Sequence, residues 1–192
     1  MKLGIFTALF QDKPLADVLR LVAELGYEAV ELPAWRGSRH LDLDAVLEDG
    51  GRGLRNQVKE FGLEISALSN GREGQLVLGP QDWTMDKWAP VQGAAERIAY
   101  GTERLKRAAQ AAAALEVPVV TGFLGSPVWD KWYNYPSTNE RAYELAWELF
   151  AQRANPILDE FERCGVRFAF EVHPTEIAYN LETAEHALEV LD

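Results

Sequence analysis

Short apolar runs alternate along the chain with longer stretches in which apolar residues recur every three or four positions. The first long stretch shows this helical spacing and ends at Gly26; its apolar positions are Leu15, Val18, Leu19, Val22 and Leu25. The alternation predicts strands at 2–10, 29–33, 64–70, 117–124 and 167–173. It predicts helices at 15–25, 43–61 with a break at 50–53, 94–115, 143–161 and 181–191, and an irregular stretch at 71–93.

A local pattern recurs at the ends of three of these helices. Gly26, Gly62 and Gly165 each precede an apolar residue, a charged residue and a strand. The repeated unit is therefore a helix, a glycine stop and a strand. Five such strands predict an α/β fold with a parallel sheet and right-handed crossovers. A sheet of this kind either closes into a barrel or stays open and doubly wound.

The strand faces and the absence of a phosphate loop favour the barrel. The sequence contains neither a G-x-G-x-x-G nor a Walker A motif. Along 167–173, bulky Phe168, Phe170 and Val172 alternate with Ala169, Glu171 and His173. Bulky residues that face helices and small or polar residues that face a lumen are typical of a (β/α)8 TIM barrel. We expect an incomplete barrel of about five βα units.

Composition narrows the classes of partner. The 192 residues include 30 acidic and 19 basic side chains, which give a net charge of -11. This charge disfavours nucleic acid and anionic membranes as partners. The single cysteine, Cys164, excludes an internal disulfide framework. We expect one cytoplasmic domain over 1–192, with a possible homo-oligomer.

Tryptophans are concentrated where a barrel would carry its active site. The loops that follow the strands hold five of the six: Trp35, Trp83, Trp88, Trp129 and Trp132. Indole rings stack on the C–H faces of sugars, and they also cap barrels or form subunit interfaces. Both interpretations stay open, and the first predicts that the five rings share one rim.

Glu171 and His173 form the most informative pair of polar residues. Two positions apart on a strand, they share a face at its carboxyl end. A carboxylate there can bind a hard metal ion or move a proton; the alternative is a buried Glu–His hydrogen bond. His40 follows the second strand and could reach a ligand, although loop histidines are commonly only solvated, and Glu31 could face the lumen or form a structural ion pair. We interpret His186 as a surface residue and the Arg97, Arg104, Lys106 and Arg107 cluster as a solvated helix face.

Several segments resemble one family. They are GYEAVELPAW at 26–35, LEISALSN at 63–70, GQLVLGP at 74–80, WDKWY at 129–133 and FEVHPTE at 170–176. Together they are similar to the N-terminal portion of the xylose isomerase-like TIM barrel family, the sugar phosphate isomerase/epimerase group. The resemblance extends over the whole chain, and 170–176 is its most specific segment.

The resemblance implies a function and a site. In such proteins two glutamates, an aspartate and a histidine from the last four strands hold manganese, magnesium, cobalt or zinc, and a proton moves next to a sugar carbonyl through an enediolate. It implies that Glu171 is both a metal ligand and the catalytic acid/base. It implies that the substrate, a small-molecule sugar or sugar phosphate, is contacted by His173, His40, Trp35, Asn70, Trp129 and Trp132.

The sequence departs from the family in two places, and two other functions stay open. Gly71 stands where relatives often have histidine, so a substrate contact is lost or comes from Arg72 or Glu73. The strands that would supply the other metal ligands are expected beyond Asp192, so we expect residues 1–192 alone to lack activity. The alternatives are a non-catalytic sugar-binding fragment and a TIM-barrel glycoside hydrolase, which needs two carboxylates and no metal. Related barrels include apurinic endonucleases, which the net charge disfavours.

Overall fold

The computed structural model describes residues 1–131 and 140–191. Its strands are β1 (Gly4–Phe6), β2 (Ala29–Pro33), β3 (Glu64–Ser69), β4 (Val119–Gly122) and β5 (Arg167–Phe170). Its helices are α1 (Leu15–Glu24), α2 (Leu43–Asp49), α3 (Arg52–Glu60), α4 (Gly71–Leu78), α5 (Ala94–Ala114), α6 (Glu140–Cys164) and α7 (Leu181–Glu189). Short 3-10 turns lie at Thr7–Phe10, Trp83–Met85 and Trp129–Lys131.

The five strands form one sheet in the order β1-β2-β3-β4-β5. The β1–β2, β2–β3 and β3–β4 pairs are parallel, with Gly4 opposite Ala29 and Leu68 opposite Val120. Each strand therefore lies beside the next strand of the chain, and a helical crossover joins them. This is the sequential order of a (β/α)8 barrel, of which five βα units are present. The predicted fold class is confirmed.

The chain divides into two compact units. The first contains Met1–Asn70, Arg107–Thr121 and Phe161–Ala169, and the second contains Gly71–Lys106, Gly122–Glu160 and Phe170–Asp192. The first unit holds most of the sheet, and its core includes the fully buried Leu19, Leu32 and Val120. The second holds the loops that follow β4 and β5. The prediction of one domain over 1–192 stays a prediction.

Glycines end the helices as the sequence pattern predicts. Gly26, Gly62 and Gly165 have φ values of 83°, 72° and 65°, in the left-handed region that side chains with a Cβ rarely adopt. The break in the 43–61 stretch is also confirmed, because Gly50 caps α2 at a φ of 66°. None of the helices in the described part of the chain combines the length and the apolar character that a membrane span needs.

Three element predictions are wrong in part. The predicted strand at 2–10 is a strand only at Gly4–Phe6, because the backbone turns into a 3-10 helix at Thr7. The strand predicted at 167–173 ends at Phe170. The stretch at 71–93 is not wholly irregular, since α4 occupies its first eight residues.

Close packing explains why α4 contains two glycines. A Cβ added at Gly74 would lie 2.0 Å from the carbonyl oxygen of Phe123, and one added at Gly71 would lie 2.8 Å from the Phe123 ring. Glycine lowers helix propensity, so the sequence pattern resembles a loop. In the structure these glycines instead allow α4 to approach the segment after β4 closely.

Candidate functional site

The end of β5 places Glu171 in an exposed position. The Glu171 backbone N–H donates to the carbonyl of Gly122 at 2.8 Å, which continues the pairing with β4 by one residue. The preceding Phe170 ring packs on Phe150 of α6 with centroids 5.7 Å apart, and Phe168 packs on Phe161 at 5.2 Å. The aromatic residues of β5 thus contact α6, as predicted. The Glu171 side chain is exposed and does not pack among helices.

His173 is also exposed, and its ring is oriented by the protein. The ring stacks on Phe123, with centroids 5.7 Å apart and an interplanar angle of 26°. Its Nδ1 makes a short contact with the carbonyl of Pro174. Both Glu171 and His173 are exposed in this five-unit chain, and the alternative of a Glu–His hydrogen bond inside a lumen stays open.

A tight turn follows these two residues. Thr175 has a φ of 81°, an uncommon conformation for a β-branched residue. The Glu176 N–H donates to the carbonyl of His173 at 3.0 Å, and the Ile177 N–H donates to the carbonyl of Gly125 at 3.1 Å. The loop after β5 is therefore tied to the loop after β4 by its own backbone.

Glu176 adds a side-chain bond between these two loops. Its side chain is only 1% exposed, and its Oε2 accepts a hydrogen bond from the Gly125 N–H at 2.6 Å. Burial raises the pKa of Glu176 to about 8, and the nearby charge of Glu171 adds to the rise; the backbone N–H groups of Gly125 and Leu124 oppose it. The carboxyl is therefore mostly neutral at pH 7.

Sequence reasoning missed Glu176 as a separate feature. The residue belongs to the FEVHPTE segment, but hydrophobic periodicity does not reach it because it lies beyond the strand. The signal that could have found it is the Pro174-Thr175 pair, which favours a turn, followed by an acidic residue and the apolar Ile177 and Ala178.

In the first unit, hydrogen bonds join Thr121 of β4 to Glu31 of β2 and to Asn70, which follows β3. The Thr121 hydroxyl donates to Oε1 of Glu31 at 2.6 Å. Asn70 is fully buried, and its backbone N–H donates to the carbonyl of Thr121 at 2.9 Å. Glu31 thus has a hydroxyl partner on β4, and both interpretations of this residue, a lumen-facing side chain and a structural ion pair, stay open.

His40 is held inside the protein. It is 2% exposed, with Nδ1 2.9 Å from Nε2 of Gln11 and Nε2 3.1 Å from the carbonyl of Lys13. The Oε1 of Gln11 accepts from the Arg39 N–H, so its amide nitrogen faces His40 as a donor. Nδ1 therefore accepts, and Nε2 carries the proton. The expectation that His40 is a solvated loop histidine is wrong. A substrate contact by His40 would require its hydrogen bonds to Gln11 and Lys13 to break.

The tryptophans have different surroundings. Trp35 is 8% exposed and contacts Phe6 edge-on at 5.9 Å, whereas Trp83 is 79% exposed. Trp129 contacts Tyr179 at 5.8 Å. Trp88 packs against the cluster of Leu76, Met85 and Ala89. Trp132 lies outside the described residues. The single rim of five rings stays a prediction.

Two basic residues of α5, Arg97 and Arg104, do not belong to a solvated face. Arg104 Nε lies 3.0 Å from the carboxylate of Glu73, which is 1% exposed and also accepts from the Tyr100 hydroxyl at 3.1 Å. Arg97 is buried and pairs with Asp86. Helical periodicity marks the positions of Arg97 and Arg104 as polar. It does not show that α4 supplies the buried Glu73 as a partner for Arg104. The Glu73 carboxylate is therefore already bound by Arg104 and Tyr100. To supply the substrate contact of the histidine that relatives have at the position of Gly71, Glu73 would have to break its ion pair with Arg104.

The described residues do not assemble a metal site. Across 1–131 and 140–191 they contain no group of three or more histidine, cysteine, aspartate or glutamate side chains placed to hold a metal ion. The carboxylate of Glu171 is a suitable ligand for a hard metal ion, but it would be a single ligand among the described residues.

Solved structures of sugar epimerases share the fold of this chain. A comparison with curated proteins found no significant match. The chain resembles the crystal structure of 3-keto-D-glucoside 4-epimerase from E. coli, with a TM-score of 0.68 and 15% identity, over 99% of this chain and 64% of that one. It also resembles D-psicose 3-epimerase from Clostridium cellulolyticum, with a TM-score of 0.61 and 20% identity, over 100% of this chain and 60% of that one.

The matched structures are longer than this chain, which spans less than two thirds of their length. At these identities the likeness shows the fold. The sequence itself matches the family model described as xylose isomerase-like TIM barrel over residues 19–192. The chain therefore belongs to the xylose isomerase-like TIM barrel family.

Proposed function

We propose that this chain is part of a sugar isomerase or epimerase that moves a proton on the carbon next to a sugar carbonyl. The observation that carries the proposal is the exposed Glu171 directly after β5 in a barrel of this family. Active sites of such barrels lie at the carboxyl ends of the strands. The names of the structural neighbours, which are epimerases of sugars, support the same reaction class.

In this proposal Glu171 is the acid/base. An exposed carboxylate can take the proton from the carbon next to the carbonyl, which leaves an enediolate. Delivery of a different proton to the opposite face of that carbon, by a second acid on that side, gives the epimer, whereas return of the proton by Glu171 to the adjacent carbon gives the isomer. The Phe168 and Phe170 contacts with α6 fix the strand that carries Glu171.

His173 is the proposed neighbour of the substrate. Stacking on Phe123 and the contact with Pro174 limit the rotation of its ring, so its remaining nitrogen can meet a substrate hydroxyl at low entropic cost. Trp129, which rests on Tyr179, is the proposed stacking surface for the sugar.

A divalent cation would polarise the substrate oxygens and stabilise the enediolate. Glu171 is its one proposed ligand among the described residues, and these residues contain no group of three candidate ligands. The described residues alone therefore do not fit a resident metal, and no step above depends on one.

The test is solvent exchange. The complete gene product that contains this sequence is incubated with ketoses and ketose phosphates in D2O, and deuterium entry next to the carbonyl is followed by NMR. Glu171→Gln should reduce exchange at least about 100-fold, the usual contribution of a general base. Glu185→Gln, which changes an exposed glutamate of α7, is the control and should leave exchange unchanged.

The two other functions predict different results. A glycoside hydrolase would release sugar from a glycoside without deuterium entry and without sensitivity to a chelator. A non-catalytic sugar-binding protein would bind sugars with no exchange in either variant. Unchanged exchange in Glu171→Gln would remove Glu171 from the proposal.

A further inference from the structure

Glu176 is bonded to both of the loops that carry the stacked rings of His173 and Phe123. Its backbone N–H donates to the carbonyl of His173 at 3.0 Å, and its side-chain Oε2 accepts from the Gly125 N–H at 2.6 Å. Phe123 lies two residues before Gly125 on the loop after β4. One residue of the second unit therefore joins the backbone that carries the first ring to the backbone that carries the second.

The side chain of Glu176 bonds to the loop after β4. The carboxyl interacts with the backbone N–H groups of Gly125 and Leu124, which both belong to that loop. Its other oxygen, Oε1, is buried and has no hydrogen-bond partner within 1–131 and 140–191. Burial of a polar group costs free energy, so an apolar side chain would pack at this position at lower cost. Packing alone therefore does not account for a carboxyl here, whereas the bond between the two loops does.

The turn that contains Glu176 also sets the direction of the His173 ring. The His173 backbone N–H donates to the carbonyl of Ala178 at 3.2 Å, so hydrogen bonds close the turn from both sides of His173. The ring Nδ1 contacts the carbonyl of Pro174, which has no proton to donate, so Nδ1 carries the proton. In the neutral ring Nε2 is then an acceptor, which suits a sugar hydroxyl as the donor.

We propose that Glu176 is a positioning residue, which holds His173 against Phe123 so that Nε2 of His173 accepts a hydrogen bond from a substrate hydroxyl. The inference rests on the proposed function for the nature of that substrate. Without the side-chain bond from Glu176 to Gly125, the His173 ring would adopt additional orientations, and binding would have to order it again. The expected loss is therefore in substrate affinity rather than in the proton transfer, which is assigned to Glu171.

The first experiment observes the His173 ring by NMR, without substrate, in the complete gene product that contains this sequence. Isotope-labelled histidine gives the shifts of the ring protons, which the stacked Phe123 ring displaces; His173→Gln assigns the signal, and Phe123→Leu gives its shift without stacking. Glu176→Leu should move the signal towards that of Phe123→Leu. Glu176→Gln keeps an acceptor for the Gly125 N–H and should retain the wild-type shift. An unchanged shift in Glu176→Leu would overturn the proposal.

The second experiment measures KM and kcat with the sugar that shows deuterium exchange. Glu176→Leu should raise KM about 3- to 10-fold, the effect of one neutral hydrogen bond, and should leave kcat within about twofold. Glu176→Gln should keep the wild-type KM. Glu185→Leu makes the same change at an exposed glutamate of α7 and is the control, which should alter neither constant. A loss of kcat at constant KM would indicate fewer folded molecules and would overturn the proposal.

A double-mutant cycle tests whether Glu176 acts through His173. In a protein that carries His173→Ala, Glu176→Leu should raise KM no further, because the group that it positions is gone. Additive increases in KM would overturn the proposal. If Glu176→Leu does not fold, Glu176→Met, an unbranched side chain without a strong acceptor, takes its place. Absence of exchange in the wild type would remove the proposed function, whereas the His173 ring signal, which needs no substrate, would still decide whether Glu176 positions the ring.

Discussion

The carboxyl oxygen Oε2 of Glu176 accepts a hydrogen bond from the backbone N–H of Gly125 at 2.6 Å. This bond joins the loop after β5 to the loop after β4 five residues beyond Glu171. The backbone bond from Ile177 to Gly125 runs beside it. The conformation of the segment that follows the proposed acid/base therefore depends on a buried carboxyl group.

That burial predicts a dependence of stability on pH. The pKa of Glu176 is about 8 in the folded protein, above its ordinary value of 4.5. Between these values the unfolded chain loses the proton and the folded chain keeps it, so ionisation of the unfolded state lowers the free energy of unfolding as pH rises. The effect is absent below about 4.5 and complete above about 8.

Glu176→Gln should remove this dependence. The free energy of unfolding of the variant minus that of the wild type should increase as the pH rises from 4.5 to 8. The increase should be on the order of a few kcal/mol, at about 1.4 kcal/mol per pKa unit. Urea unfolding at several pH values measures the difference. The exposed Glu185→Gln is the control. A difference that does not change with pH would show that Glu176 ionises in its ordinary range.

Gly74→Ala should destabilise the protein although alanine favours helices. Its Cβ would lie 2.0 Å from the carbonyl oxygen of Phe123, and the backbone there cannot rotate away. We expect a loss of roughly 3 kcal/mol or more, at or beyond the usual cost of overpacking. Gly26→Ala is the comparison: it meets nothing within 4 Å and suffers only the left-handed backbone, at about 1–2 kcal/mol. Equal thermal shifts for the two variants would contradict the clash.

Arg104→Met should cost more than the loss of a surface ion pair. Glu73 is 1% exposed, and removal of the guanidinium takes away the ion-pair partner of this buried carboxylate. Breaking buried pairs in this way costs about 3–5 kcal/mol. Arg20→Met breaks the exposed pair with Asp17 and should cost less than about 1 kcal/mol. Chemical denaturation compares the two, and similar losses would contradict a larger contribution from the buried pair.

The sequence was sufficient for the sheet but not for every element. Hydrophobic spacing and glycine stops predict α1 and β2 within one residue, because both depend on local periodicity. The helix α4 was missed because Gly71 and Gly74 are present for contacts with Phe123, which is distant in sequence. Local propensity carries no information about such contacts.

In the candidate site too, the sequence predicted the features that depend on local alternation and missed those that depend on contacts between distant elements. The alternation along β5 correctly placed Phe170 against α6; that Glu171 faces a barrel lumen stays a prediction. The environments of Glu176 and Arg104 depend on elements that meet only in the fold, so spacing could not reveal a buried carboxyl or a buried ion pair. His40 is a similar case, since its partners Gln11 and Lys13 belong to a different loop.

The last prediction concerns metal affinity. We expect residues 1–192 alone to bind Mn²⁺ only weakly. The described residues contain no group of three candidate ligands, and the two acids whose side chains are not described are Glu140 and Asp192. A hard cation held by one carboxylate keeps most of its waters, so little binding energy is available.

Isothermal titration of Mn²⁺ into this polypeptide measures the affinity, with Glu171→Gln as the variant and Glu185→Gln as the matched control. Weak binding that Glu171→Gln removes and Glu185→Gln retains would identify Glu171 as the single ligand. Micromolar binding would contradict the prediction, because a single carboxylate does not hold a hard cation so tightly. In that case ligands from a second copy of the chain would have to complete the site, and dilution below the dimer dissociation constant should then abolish the tight binding.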